Sequence, residues 1–216
     1  MMGGRIPLGL RIKRKMHKEI AFLQDIIVER LYEIFPKAVI HGGTAIWRCY
    51  NGNRFSEDID VYLERKITEL NLLFENLQNE GFKIIKKRIK ENSLFSVLRF
   101  NDVEVRLEGI FKKVQGIPKE YETVEGTLIT VYTLPPETLI KEKIKAYLKR
   151  RKIRDLYDIF FLLRFVVEKE KIKKELKALI TSFKKPSDEE ELRTLILYGI
   201  APSSKEIIEY LRRWLR

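Results

Sequence analysis

Two short runs in the N-terminal half bring together residue types that handle phosphates. In the first, Gly42-Gly43-Thr44 stands where a short strand, Val39-Ile40, gives way to a helical run from Thr44 to Tyr50. In the second, thirteen residues further on, Asp58-Ile59-Asp60 opens a stretch to Leu63 that alternates polar and apolar residues, as a half-buried strand does. Aspartates at i and i+2 on a strand point both carboxylates to one face. There they can share hard cations such as Mg²⁺, which take oxygen ligands and fill their other positions with water or substrate phosphates. Glycines at a strand-to-helix turn let backbone N–H groups approach phosphate oxygens, and Thr44 could add a hydroxyl to such a cradle. A phosphate cradle beside a metal-binding carboxylate pair suits metal-assisted phosphoryl or nucleotidyl transfer. Each half alone is weak, because Gly-Gly before a helix is often only a tight turn. Asp-x-Asp is often a solvated face, here with Ile59 and Val61 in the core.

The elements that must position these residues follow from periodicity. Ile20, Leu23, Ile27, Leu31 and Ile34 recur every three or four residues and predict an amphipathic helix that stops near Pro36. Ile67, Leu70, Phe74 and Leu77 predict another, closed by Gly81. From Phe82 to Phe111 the texture is β, and two strands flank Asn101-Asp102 as a hairpin. The stretch from Gly126 to Tyr132 is expected to be the last strand. After Pro135-Pro136 everything reads as helix: 137–151, 153–168, 169–183, then shorter helices after Ser187 and Ser203, each with capping residues and early acids. The expectation is an α+β fold with its seam at the double proline. Residues 1–133 would form one domain and 134–216 an all-α helical bundle.

Composition bounds the partners. With 216 residues, 44% of them hydrophobic, the chain is long enough for a real core. The apolar run at 159–167 is too short to span a membrane and contains Arg164. The basic N-terminal segment (Arg5, Arg11, Lys13, Arg14, Lys15, Lys18) has no apolar signal core. Cys49 is alone and reads as packing, so a reducing cytoplasm is the expected setting. The Lys, Glu, Arg and Ile bias fits a thermophile, but 43 basic against 31 acidic residues leaves +12, an excess that asks for a polyanion such as nucleic acid.

The order and spacing of Gly42-Gly43-Thr44 and Asp58-Ile59-Asp60 resemble the signature of the DNA polymerase β-like nucleotidyltransferase superfamily. A second block, 134–163, resembles the C-terminal block of the AbiEii/AbiGii toxin family. It carries Glu142-Lys143-Ile144-Lys145-Ala146 and Arg154-Asp155-Leu156-Tyr157-Asp158, beside Gly42-Gly43-Thr44-Ala45 and the run from Arg54 to Asp60. The resemblance implies a nucleotidyltransferase fold, a mixed sheet with flanking helices, whose active site the helical C-terminal domain completes. It implies that Asp58 and Asp60 hold Mg²⁺ or Mn²⁺ on an NTP whose phosphates meet Gly42, Gly43, Thr44, Ser56 and Lys143. The superfamily adds a third carboxylate from a later strand. Glu104 and Glu108 are both open, and Glu108 is preferred because Arg106-Leu107-Glu108 resembles the basic–apolar–acid pattern. A base activating the acceptor hydroxyl would sit there too.

Lys143 matches the lysine that neutralises triphosphate charge, although it lies in a basic run, 141–154, that could be no more than a wet face. Asp155 matches the functional aspartate of that block, and Asp158 lies one turn on. Salt bridges to Arg151 or Arg154 are the plain alternative for both. Arg54 and Ser56 could bond a phosphate or pin the loop, and His41 reads more readily as a satisfied strand-end group. For partners, the resemblance implies a toxin with a separate antitoxin protein; the layout itself is compatible with a monomer, with oligomeric state left open. Its acceptor would be RNA, the tRNA 3′ end above others, releasing pyrophosphate. Lys83, Lys86, Lys87, Arg88 and Lys90 could contact that RNA. Two rivals stand: transfer to a protein or small-molecule hydroxyl, and a member that only binds RNA or a partner.

Overall fold

In the computed structural model, which describes residues 7–216, the alternating stretches become seven strands. They are β1 (Val39–His41), β2 (Asp58–Leu63), β3 (Lys83–Ile89), β4 (Ser93–Phe100), β5 (Val103–Phe111), β6 (Ile117–Glu122) and β7 (Leu128–Thr133). They join in one sheet of order β3-β4-β5-β2-β1-β7-β6. The β2–β5 and β1–β7 pairs are parallel and the others antiparallel, so the sheet is mixed. Arg5 of the basic N-terminal segment lies outside the described residues.

Strand alternation decides what the sheet buries. Ile59, Val61 and Leu63 of β2, Leu94 and Leu98 of β4, and Val105 and Leu107 of β5 are buried. Against that face pack α2 (Lys15–Ile34), through the predicted stripe Ile20, Leu23, Ile27 and Leu31, and α4 (Ile67–Asn79), through Leu70, Leu73, Phe74 and Leu77. Each such side chain contributes about 1.5–3 kcal/mol when fully buried. The period of two sends Asp58, Asp60, Phe95, Val97, Arg106 and Glu108 to the opposite face.

The chain divides into two compact units, residues 7–49 with Ser56–Thr133, and Tyr50–Phe55 with Leu134–Arg216. The first also contains α1 (Leu8–Arg11) and α3 (Gly42–Cys49), fastened by buried charge. The Arg48 guanidinium, 1% exposed, meets Asp25 at 2.8 Å and donates to the Ala21 and Glu122 carbonyls. It also lies 4.1 Å from the Trp47 ring. Glu122 accepts from the Leu8 N–H and from Arg11. Burial pushes the Asp25 carboxyl up to about 6, although Arg48, the Val124 N–H and the Tyr121 hydroxyl oppose that rise.

The second unit contains α5 (Pro136–Arg150), α6 (Ile153–Leu162), α7 (Glu170–Thr181), α8 (Leu192–Leu195) and α9 (Ser204–Trp214). Segment 50–55 is tied into it, with the Tyr50 hydroxyl on the Leu134 carbonyl at 2.7 Å and the Phe55 N–H on the Leu195 carbonyl at 2.8 Å. The predicted capping box at Ser203 forms with Glu206. Three expectations need correction. The helix expected over 153–168 ends at Leu162 and passes through a 3₁₀ turn, Leu163–Phe165. There the β-branched pair Val166-Val167 resists the helix, and the Glu137 carboxylate takes the Val167 N–H at 3.1 Å. Asp188 caps α6 by accepting from the Ile153 N–H at 2.8 Å, and only a 3₁₀ turn precedes the four-residue α8. Finally, β6 was not expected; its Pro118 lacks an N–H, which only an edge strand such as this one tolerates.

Candidate active site

Register builds the site in the first unit. On the sheet His41 lies beside Asp60 and Asp60 beside Glu108, while Asp58 lies beside Arg106. Asp58, Asp60 and Glu108 therefore share one face on adjacent parallel strands. Gly42 adopts φ +68°, in the left-handed region, and a Cβ there would land on the Asp60 carboxylate. The turn is thus glycine for conformation and for room alike. Thr44 is fully buried and its hydroxyl donates to the Asp58 carbonyl, so it ties the first turn of α3 to the start of β2. Gly43 is buried in that same first turn.

Asp58 meets the Arg106 guanidinium at 2.6 Å. Burial, then Asp60 and Asp58, hold the Glu108 carboxyl above its ordinary range, with Arg106 opposing. Glu104, the other candidate, is exposed and engaged by Arg99 at 2.5–3.0 Å. The donor chemistry fits a hard divalent cation: oxygen ligands on one face whose mutual repulsion an added positive charge would relieve. No trio of Asp, Glu, His or Cys stands at ligand spacing among the described residues. Mg²⁺ needs no more than one or two protein carboxylates when substrate phosphates complete its shell, so Asp58 and Asp60 suffice.

Nearby groups are structural in their contacts. The His41 ring stacks on Tyr62 at 4.0 Å. Ser56 is 9% exposed, and its carbonyl accepts from the Gln24 side chain at 2.9 Å. Gln24, fully buried, thereby anchors the approach to β2 from α2. It was missed, although a polar residue inside an apolar helical stripe is a legible signal. Burial pushes the Cys49 thiol up to about 12, so it is inert.

The second unit gathers the other predicted residues into one buried network. Lys143 of α5 is 7% exposed, not a wet lysine, and its ammonium lies 2.7 Å from Asp158 and 3.6 Å from Asp155. Arg54 forks onto Asp158 at 2.8 and 2.9 Å and also donates to the Phe55 carbonyl. Arg150 forks onto Asp155 at 2.7 and 2.8 Å. The aspartates' partners are therefore Arg54, Lys143 and Arg150, not the Arg151 or Arg154 considered from sequence. An i→i+5 pair that closes across the end of α5 cannot be read from helical spacing. Burial alone would raise the Asp158 carboxyl, but Arg54 and Lys143 outweigh it and hold the group below its ordinary value.

Comparison with known proteins bears on both units. Among solved structures, the chain is similar to MenT4, a nucleotidyltransferase toxin from Mycobacterium tuberculosis. The TM-score is 0.67 and the identity 14%, over 96% of this chain and 87% of that one. It is also similar to JHP933 from Helicobacter pylori, with TM-score 0.63 and 20% identity over 94% and 91%. At these identities the likeness speaks to the fold, which is nucleotidyltransferase-like. No curated protein matches the chain. The profile described as "Nucleotidyl transferase AbiEii toxin, Type IV TA system" matches residues 26–207. Spanning both units and both sets of polar residues, that match shows that the chain belongs to the AbiEii family of nucleotidyltransferase toxins.

Proposed function

We propose that the protein moves a nucleoside monophosphate from an NTP to the 3′-terminal hydroxyl of an RNA, the tRNA 3′ end above others, with release of pyrophosphate. The observation that carries this reading is the row of Asp60 and Glu108 on parallel strands, next to Asp58 and against the Gly42 turn. Mg²⁺ or Mn²⁺ held by Asp58 and Asp60 would supply charge neutralisation and polarisation of the transferred phosphoryl group. The protein's own residues do the rest. Gly42 and Gly43 leave the backbone N–H groups of the turn unscreened by side chains. Thr44 keeps β2 in register with that turn. Ser56 borders the same strand. Glu108, beside Asp60, is the group suited to receive the acceptor's proton. Lys143 and Asp155 are proposed as functional on the family resemblance, with Lys143 as the cation for substrate phosphate. The excess of basic residues supports a nucleic-acid acceptor over a cationic small molecule. A type IV toxin family implies a cognate antitoxin. No helix of the described residues is long and apolar enough to cross a membrane.

The test is a labelling assay with Mg²⁺, each α-labelled NTP in turn, and total RNA. Label on a tRNA-sized band, absent from Asp58→Ala/Asp60→Ala, is expected. Label on protein alone would move the acceptor to a protein hydroxyl, and no label anywhere would sink the transferase.

A further inference from the structure

The register of the sheet extends the carboxylate row outward. Glu108 pairs with Phe95 of β4, and Phe95 pairs with Arg88 of β3; one step along, Arg106 pairs with Val97 and Val97 with Lys86. Phe95, Lys86 and Arg88 therefore share the face of Asp58 and Asp60. Lys86 and Arg88 are exposed, Phe95 and Val97 half-exposed. Neither cation has a carboxylate partner among the described residues. The Lys86 ammonium lies 5.3 Å from the Phe95 ring. A bulge between Ile84 and Lys86 resets the alternation and turns Lys87 to the helical side, where it lies 4.8 Å from Phe74 of α4. Three strand steps of ~4.8 Å set Arg88 about 14 Å from Asp60, a distance that a few nucleotides of single strand cover.

We propose that this face is the track for the single-stranded 3′ end of the acceptor. Phe95 stacks a base, Lys86 and Arg88 hold the backbone phosphates behind it, and the terminal hydroxyl is delivered to the carboxylates. The proposal rests on the RNA-acceptor reading. An aromatic platform beside unpaired cations is the combination that binds single strands without reading sequence. Charges on an edge strand also deter pairing with another chain, but that service is indifferent to face. Sequence places Lys87 among the possible RNA contacts, but the bulge turns it off this face, so it is the control.

Binding is measured by fluorescence anisotropy of the full-length protein with a 5′-labelled single-stranded RNA of about 12 nucleotides. KM for acceptor and for NTP is measured alongside by labelling. Lys86→Glu/Arg88→Glu is expected to weaken RNA binding at least about 10-fold and to flatten the log–log salt dependence by about 1.4. The NTP KM should stay put. Phe95→Ala is expected to weaken RNA binding roughly 5- to 150-fold. Lys87→Glu should leave RNA affinity within about two-fold. If the wild type labels RNA while the double variant binds it with unchanged affinity and salt slope, the track is wrong and the acceptor reading stands. A wild type that neither labels nor binds RNA overturns both.

Discussion

The sheet face and the helical network use the same side chains in opposite proportion. Asp58, Asp60 and Glu108 stand with one arginine, Arg106, and the Asp58 side chain is 22% exposed. Asp155 and Asp158, 0% and 1% exposed, stand with Arg54, Lys143 and Arg150. The first balance is acidic, and with burial, the larger cause, it holds the Glu108 carboxyl above its ordinary range; the second is basic, and it outweighs burial to hold Asp158 below. Water can screen an acid excess on a half-exposed sheet face until cations arrive. A buried network has no such recourse and must carry its own counter-charges. The sheet face is thus built to receive charge, and the network to be complete without it. Lys143 can serve substrate phosphate only by sharing an ammonium that Asp158 already holds at 2.7 Å.

Four changes break or sharpen this contrast, from the largest expected effect down. Asp58→Asn/Asp60→Asn should reduce transfer by at least about 10³-fold. Its melting temperature should change little, because the like-charge repulsion removed offsets the part-exposed Asp58–Arg106 ion pair lost; a marked drop would mean the pair is structural. Arg54→Met strands Asp158 with Lys143 alone and should cost about 3–5 kcal/mol in urea unfolding. Adding Asp158→Leu should restore part of that loss, since it removes the stranded carboxylate and leaves buried Lys143 only Asp155, at 3.6 Å. If the double variant is no better than the single, the network's worth lies elsewhere. Gly42→Ala should cost about 1–2 kcal/mol from its left-handed φ. It should also impair transfer through Asp60, a combination that parallel melting and labelling assays would separate.

The smallest effect is in pH. The native carboxyl of Asp158 is depressed, so its stabilisation is present above the unfolded value near 4 and is lost as pH falls through the native one. The stability gap between wild type and Arg54→Met/Asp158→Leu, followed by urea midpoint, should therefore shrink below about pH 4. A gap independent of pH would contradict the depressed value.

Local pattern carried far in this chain, and its failures have identifiable causes. The helix around Ile27 and the strand from Asp58 were legible because one face of each is buried and the other is not, which imprints a period on the sequence. β6 and the end of α6 were not. A proline on an edge strand and a carboxylate borrowed from Glu137 are decided by neighbours distant in sequence. The buried arginines show the same limit. Nothing local distinguishes Arg48 and Arg54 from the solvated Arg65, because what buries them is a carboxylate 23 residues away in one case, Asp25, and Asp158 in the other.

By itself, then, the sequence determined the glycine turn, the paired aspartates on one strand face and the family block around Lys143, since these depend on spacing within a single element. Tertiary structure set Glu108, which the sequence pattern only preferred over Glu104, beside Asp60, and it alone decided that Lys143 is buried against Asp158 and that Lys86 and Arg88 share the carboxylate face while Lys87 does not. Those outcomes rest on strand order, a bulge and helix packing, which place residues side by side that the chain keeps tens of positions apart.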